Sequence, residues 1–374
     1  MCESTITLSK LLKAYYDCRK HKRGTLNALN FEFNLEENLY SLYSDLISNN
    51  YKIGRNICFV VEYPKPREIW AADFRDRVVH HLVYNEIKDI FYNRFIKDTY
   101  SCIPSRGTGN AVKCVRNYAS SITDNYKRES YYLKADIKNF FVSIDKDILY
   151  KEVSKYVTEG WLLSLLQQII FHNPKSDVHI RCSREKFKIL PKYKSLWYTS
   201  ESKGLPIGNL TSQFFSNVYL NVLDQYVKHK LKCKYYCRYV DDFVIMDDNP
   251  RYLAQIHSEL TEFLKSRLSL ELHQNKKLIN KVSKGIDFVG YVIKPNHIIL
   301  RQRTLKRIFN IIKKYKANKE WYLEEQKRKY INTINSYLGM LRQSNGYNLR
   351  RKICIESINL FISCDEEFTK LIII

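Results

Sequence analysis

The stretch Arg238-Tyr239-Val240-Asp241-Asp242-Phe243-Val244-Ile245-Met246 governs how the rest of the chain is read. Two β-prone runs, 234–239 and 243–246, flank two adjacent carboxylates. This is the pattern of a hairpin with the acids at its turn. An Asp-Asp pair in isolation is an ordinary turn. Here hydrophobic strands enclose it, and a carboxylate at the end of a buried strand needs something to stabilise its charge.

Upstream, residues 130–137, Ser-Tyr-Tyr-Leu-Lys-Ala-Asp-Ile, form a second strong β-run that ends at Asp136, 105 residues before Asp241. Aspartates from separate strands are a common way to hold two divalent ions about 3.5–4 Å apart. Hard ions such as Mg²⁺ take such oxygen ligands and complete their shell with substrate phosphates. Lys138-Asn139-Phe140-Phe141 follows. On a non-helical stretch the two adjacent rings are expected to point opposite ways.

Between these motifs lies Gly204-Leu-Pro206-Ile-Gly208-Asn-Leu-Thr-Ser212-Gln213-Phe-Phe-Ser216-Asn217. Gly and Pro predict a loop, and Asn209, Thr211 and Ser212 are expected to cap the helix after it. A glycine-rich approach to a helix start suits close contact with a flat base pair and its sugar.

The surrounding chain has 374 residues, a mass of 44.7 kDa, 45% hydrophobic and 27% charged residues. That is a globular composition with a sizeable core, in two or three lobes. Sixty-two Lys and Arg against 39 Asp and Glu leave a formal charge of +23, which favours a polyanionic partner, nucleic acid first. Met1 to Cys18 lacks the apolar core of a secretory signal, and the most apolar stretch, Trp161 to Phe171, is too short to span a bilayer. No membrane partner is expected. Ten cysteines include no CxxC pair, so free thiols in a reducing cytoplasm are the expectation.

Residues 5–50 read as helical, with a basic cluster at Arg19, Lys20, Lys22 and Arg23. Residues 57–63 read as a strand, Asp76 to Tyr92 as a helix of 3.6-residue period, and about 146–171 as helical. Residues 172–203 hold eight Lys and Arg against three acids and predict a basic loop or hairpin. A helix is expected from Asn209 to about Leu231, another over 251–269, and strands near 286–293 and 297–300. Beyond residue 300, Arg301, Arg303, Lys306, Arg307, Lys313, Lys314 and Lys316 recur at helical spacings beside an apolar face of Leu305, Ile308, Phe309, Ile311 and Ile312. Such a helix can dock through one face and present its charges to phosphates.

The ordered set of Asp136-Ile-Lys-Asn-Phe-Phe141, Gly204 to Gln213, and Tyr239-Val-Asp-Asp242 resembles the palm of reverse transcriptases. Lys65-Pro-Arg67 with the Asp76-Arg77 helix resembles the family's first fingers motif, and Tyr100 to Thr108 the second. Leu270 to Lys276 resembles the motif carrying a lysine near the incoming triphosphate, with His273 where the family often has Asn. Phe288-Val-Gly-Tyr291 resembles the primer-grip turn. The resemblance covers roughly residues 50–300.

It implies an α+β right-hand polymerase: a helical N-terminal extension (1–50), fingers (51–130), a palm of antiparallel sheet backed by helices (131–300) and a helical thumb (301–374). It implies template-directed DNA synthesis, in which a primer 3′-hydroxyl attacks the α-phosphate of a dNTP. Two Mg²⁺ ions, with Mn²⁺ as a substitute, would be held by Asp136, Asp241 and the Ile137 carbonyl, with Asp242 ligating weakly or shaping the site. Lys65, Arg67, Ile137, Phe141, Gln213 and Lys276 are implied at the nucleotide, with Phe141 as the sugar gate. The partners are an RNA template and a DNA or RNA primer.

Ile207-Gly208 and Ser212-Gln213 stand where retroviral and intron-encoded enzymes usually have Gln-Gly and Ser-Pro. That variant is similar to bacterial diversity-generating retroelement enzymes and defence-associated reverse transcriptases, which brings a structured non-coding RNA and an accessory protein into view. Nothing at the C-terminus resembles an endonuclease or zinc module, so a self-mobile intron protein is not expected. Two other readings of the same palm are a catalytically silent RNA-binding scaffold and an RNA-templated RNA polymerase. Three intact acids at a basic site argue against the first, and a bulky Phe141 against the second.

Overall fold

A computed structural model describes residues 6–20, 22–63, 65–273, 277–318, 323–359 and 361–374. Its strands are β1 (Asn56–Val61), β2 (Arg67–Ala71), β3 (Tyr131–Asp136), β4 (Val178–Ile180), β5 (Tyr235–Tyr239), β6 (Asp242–Asp247), β7 (Leu278–Lys281), β8 (Ile286–Phe288), β9 (Tyr291–Ile293), β10 (Ile298–Leu300), β11 (Ile362–Cys364) and β12 (Leu371–Ile373). The helices before residue 200 are α1 (Leu8–Arg19), α2 (Leu26–Phe33), α3 (Leu35–Ile47), α4 (Phe74–Tyr92), α5 (Thr108–Ile122), α6 (Phe140–Ser143), α7 (Lys146–Ser154) and α8 (Gly160–Phe171). After it come α9 (Leu210–Gln225), α10 (Pro250–Leu268), α11 (Gln302–Ala317), α12 (Glu324–Arg342) and α13 (Tyr347–Ser357).

The chain forms two compact bodies, neither of them contiguous. Residues 1–104, 136–232 and 257–275 make the first; 105–135, 233–256 and 276–374 make the second.

In the first body, α4 is the central helix. Asp73 starts it by accepting from the Arg75 amide, and Val78, Val79, Leu82, Val83 and Ile87 are buried along it. Helix α9 is buried along most of its length, through Phe214, Phe215, Val218, Tyr219, Leu220 and Leu223. Each such side chain contributes about 1.5–3 kcal/mol of burial. The N-terminal residues form three short helices, and the run expected over 146–171 breaks into α7 and α8. Asp145 caps α7, accepting from the amides of Asp147 and Ile148 at 3.1 Å each. A small sheet in the order β2-β1-β4 joins them. There β4, inside the stretch expected as a loop or hairpin, pairs parallel to β1.

In the second body, a sheet in the order β5-β6-β3-β7 carries the motif strands, and a second sheet runs β10-β9-β8. The hairpin β5–β6 is antiparallel, with Tyr239 opposite Asp242. Tyr236, Cys237, Arg238, Phe243, Val244, Ile245 and Met246 are all buried. The run expected over 286–293 is itself a hairpin, β8–β9, with Phe288 opposite Tyr291. No described helix is long and apolar enough to cross a membrane.

Candidate active site

The pairing of Tyr239 with Asp242 leaves Val240 and Asp241 as a two-residue turn. Such turns need positive φ at the first central residue or at both, and Val240 has φ +55°. A β-branched residue there is strained, so something must hold it. Arg238, completely buried, donates from Nη1 to the Val240 carbonyl at 2.9 Å. A charged hydrogen bond inside the sheet thus fixes the carbonyl between the strand and the acids.

Asp242 opens β6. Burial raises its carboxyl above the usual carboxylate range, nearby Lys134 opposes that rise, and neighbouring Asp241 adds to it. Lys134 Nζ lies 4.0 Å from Asp242 Oδ1 and 3.6 Å from Asp287 Oδ1, and donates to the Asp287 carbonyl at 2.8 Å. Arg301 closes this series by pairing with the Asp287 carboxylate. Carboxylates and cations therefore alternate through Asp242, Lys134, Asp287 and Arg301. Lys134 thus stands between the two carboxylates and opposes the rise that burial imposes on Asp242.

Sheet order puts β6, which begins at Asp242, beside β3, which ends at Asp136. Asp136 itself counts with the first body. Its carbonyl accepts from the His273 amide at 2.8 Å. Ile137, buried, bridges to Leu272, and the Lys138 amide donates to the Glu271 carbonyl at 2.8 Å. Among the described residues, no three His, Cys, Asp or Glu side chains converge as a metal cage. The donors on offer are hard carboxylate and carbonyl oxygens. Oxygens of this kind suit a hard divalent ion, which is typically bound through one or two carboxylates plus substrate phosphates.

The glycine loop belongs to the first body. The Trp70 amide donates to the Ile207 carbonyl at 2.7 Å, and a Cβ on Gly208 (φ +138°) would sit 2.7 Å from the Trp70 carbonyl oxygen. Only glycine fits there. The expected side-chain caps of α9 are not made. Asn209 precedes the helix, but its Oδ1 accepts from the Ala72 amide at 3.0 Å. Thr211 Oγ1 sits 2.6 Å from His80 Nδ1, and burial pushes the His80 pKa down to about 3. Tertiary partners have claimed the capping groups. Gln213 is exposed and its Oε1 accepts from Cys102 Sγ at 3.6 Å.

Phe140 and Phe141 lie on α6, a helical turn rather than the expected non-helical stretch. They still separate in burial, with Phe140 in the core and Phe141 half-buried. The Phe141 carbonyl accepts from the Leu205 amide at 2.8 Å, joining this turn to the glycine loop. Lys65 and Arg67 are exposed at the β1–β2 turn. Lys276 lies outside the described residues.

Helix α11 presents Arg303, Lys306, Lys313 and Lys314 to solvent and buries Ile308 and Ile312, while Arg307 is half-buried. Arg301 departs from the expected exposed row. It precedes the helix and its guanidinium is committed to Asp287. The sequence reading gave no role to Arg238, Lys134 and Asp287 around the acids or to Glu68 in β2. Asp287 was findable, since it is a charge between Ile286 and Phe288 in a strand, the same signal that marked Asp136.

The sequence profile of the reverse transcriptase (RNA-dependent DNA polymerase) family matches residues 63–293, more than half of the chain. The chain belongs to that family. This reverse transcriptase is accordingly an RNA-directed DNA polymerase with the α+β right-hand fold. It is 22% identical over 313 residues to Protein YkfC of Escherichia coli, covering 75% of both chains. It is 22% identical over 289 residues to the group II intron-encoded protein LtrA of Lactococcus lactis, covering 65% of this chain and 46% of that one. Similarity to the putative COX1/OXI3 intron 2 protein of Saccharomyces cerevisiae is 19% over 353 residues, covering 76% and 38%. The chain thus spans under half of these two intron proteins. Among solved structures, apo telomerase from Candida tropicalis, truncated of its C-terminal domain, aligns at 10% identity with a TM-score of 0.48, over 70% of this chain and 59% of that one.

Proposed function

We propose that this protein makes cDNA on an RNA template by metal-assisted phosphoryl transfer, with Asp136 and Asp241 as the principal carboxylates. The observation that carries the reading is the turn at Asp241. A strained hairpin is held by the fully buried Arg238, and two adjacent acids stand at its turn. Strain of this kind persists where the surroundings over-determine it, typically at functional sites.

Asp136, the Ile137 carbonyl and Asp241 hold Mg²⁺, and Asp242, positioned by Lys134, shapes the site. The bound ions supply charge neutralisation at the transferring phosphoryl group and its oxygens. The chain's own work is positioning. Lys65 and Arg67 reach the triphosphate, with Lys276 as a third cation. The Gly208 loop lets the backbone approach the nascent base pair, where Gln213 reads it. Phe141 excludes a 2′-hydroxyl, and Arg303, Lys306, Arg307, Lys313 and Lys314 hold the template–primer duplex. The lobes are fingers, palm and thumb over 51–130, 131–300 and 301–374. The Ile207-Gly208 and Ser212-Gln213 variant supports a bacterial retroelement or antiphage setting in the cytoplasm, with a structured RNA and an accessory protein as partners.

Primer extension on an RNA template, with Mg²⁺ and purified protein, tests the core of this reading. Asp241→Asn keeps the size and removes the charge. It is expected to lose synthesis by about a thousandfold or more while keeping the fold and RNA binding. Extension near the parent rate refutes the assignment. Phe141→Ala is expected to raise rNTP use relative to dNTP use, and an active variant with an unchanged ratio places the gate elsewhere.

A further inference from the structure

Residues 172–203 have no part in the site above, yet they are built into the first body. Strand β4 pairs with β1, with Asn56 opposite Val178, and the Arg181 amide donates to the Cys58 carbonyl at 2.9 Å. Three short 3₁₀ turns follow, Arg184–Ile189, Lys192–Lys194 and Leu196–Tyr198. Their anchor is the buried carboxylate of Glu68. It accepts from Ser195 Oγ at 2.5 Å, from the Leu196 amide at 3.0 Å and from the Trp70 indole. Trp197 packs on Trp70 with ring centroids 4.9 Å apart. Trp70 is also the residue whose amide bonds to the Gly208 loop, so this segment and that loop share one support.

The outward side differs from a solvated basic face. Tyr193 and Tyr198 are 63% and 66% exposed. Each ring carries an ammonium over its face: Lys194 lies 5.7 Å from the Tyr193 centroid and Lys192 5.4 Å from that of Tyr198. Of the segment's acids, Asp177 pairs with Arg55 outside it, while Glu185 pairs with Lys188 and Glu201 accepts from Asn173 within it. Lys186 and Lys188 are taken up by Glu62 and Glu185 and Lys175 by the Thr199 carbonyl, which leaves Lys192 and Lys194 as the exposed cations beside the two rings. Aromatic faces interleaved with cations suit a strand whose bases are unpaired, because every base can stack and every nucleotide brings a phosphate.

We propose that residues 172–203 form a docking surface for single-stranded RNA, separate from the polymerase site. Bases stack on Tyr193 and Tyr198, and phosphates meet Lys192 and Lys194. The choice of RNA over DNA rests on the polymerase reading; the surface itself does not.

Fluorescence anisotropy of the full-length protein with labelled, unstructured uridine and thymidine oligomers tests it without requiring turnover. Replacing both lysines with Gln is expected to lower the slope of log affinity against log salt by about 1.4, from about 0.7 per phosphate contact on a single strand. Tyr193→Ala with Tyr198→Ala is expected to weaken RNA binding by about tenfold or more, and the matching Phe pair to restore it, since stacking needs the ring and not the hydroxyl. Both tyrosines are exposed, so thermal melting should match the parent. Extension by one nucleotide on a preformed duplex with a short overhang should also match. Unchanged RNA affinity and salt slope in both variants overturns the proposal. So does a Phe pair as weak as the Ala pair, and binding of the thymidine oligomer alone overturns the assignment to RNA. Absence of extension by the parent protein, with its oligomer binding intact, counts against the polymerase reading and not against this surface.

Discussion

The hairpins β5–β6 and β8–β9 of the second body both turn through two residues, and both put a valine first, at positive φ: Val240 at +55° and Val289 at +40°. They differ in the second residue and in what holds them. In β8–β9 the second residue is Gly290 at φ +98°, which suits that conformation. Its carbonyl accepts from the Arg301 amide at 3.1 Å, and Tyr291 donates its hydroxyl to the Met340 carbonyl at 3.0 Å. That turn is held from outside, by docking. In β5–β6 the second residue is Asp241, and the support is internal: Arg238 reaches from the strand to the turn's own carbonyl. A turn docked through glycine can be tight without being chemical. One that must project a carboxylate from a dry sheet needs a cation built into the sheet.

The largest expected effect separates the two turns by chemistry. Asp241→Asn should remove extension by about a thousandfold or more, whereas Gly290→Ala should leave single-nucleotide addition within reach at high enzyme concentration. Next is Arg238→Met, which leaves the Val240 carbonyl unsatisfied. It should destabilise by about 1–3 kcal/mol in urea unfolding and slow extension by more than the stability loss accounts for, since Asp241 is no longer fixed. Gly290→Ala should cost about 1–2 kcal/mol. The added Cβ meets only Met340 Cε at 3.6 Å, so the loss is conformational. The smallest effect is that of Val289→Gly, within about 1 kcal/mol of the parent, because relief of strain is offset by the freedom of glycine in the unfolded chain. A Val289→Gly variant as inactive as Asp241→Asn would break the comparison.

The motif strands were legible because each joins a dense hydrophobic run to a carboxylate, and few contexts permit that. The glycine loop was legible because Gly208 has no alternative against the Trp70 carbonyl. What supports these motifs was not. Lys134 meets Asp287 across 153 residues, and Glu68 meets Leu196 across 128. Neither partner is implied by local spacing. The capping residues of α9 were misread for a similar reason: Asn209 and Thr211 answer to Ala72 and His80, on segments a sequence pattern does not bring near. Arg301 was grouped with its helical neighbours because periodicity assigns faces and says nothing of an aspartate waiting in another strand.

The parallel pairing of β1 with β4 has a consequence for the order in which the chain can fold as it is synthesised. β1 and β2 close a hairpin on their own as soon as residue 71 has emerged, but the outer edge of β1 stays open until residues 178–180 arrive. The Glu68 carboxylate waits longer still, for Ser195 and Leu196. While the ribosome adds the intervening hundred or so residues, the nascent protein carries an unpaired strand edge and a charge destined for the interior. A chaperone that shields strand edges would find its longest opportunity there, and a pause in translation just before codon 178 would prolong the interval in which the nascent chain is most prone to misassemble.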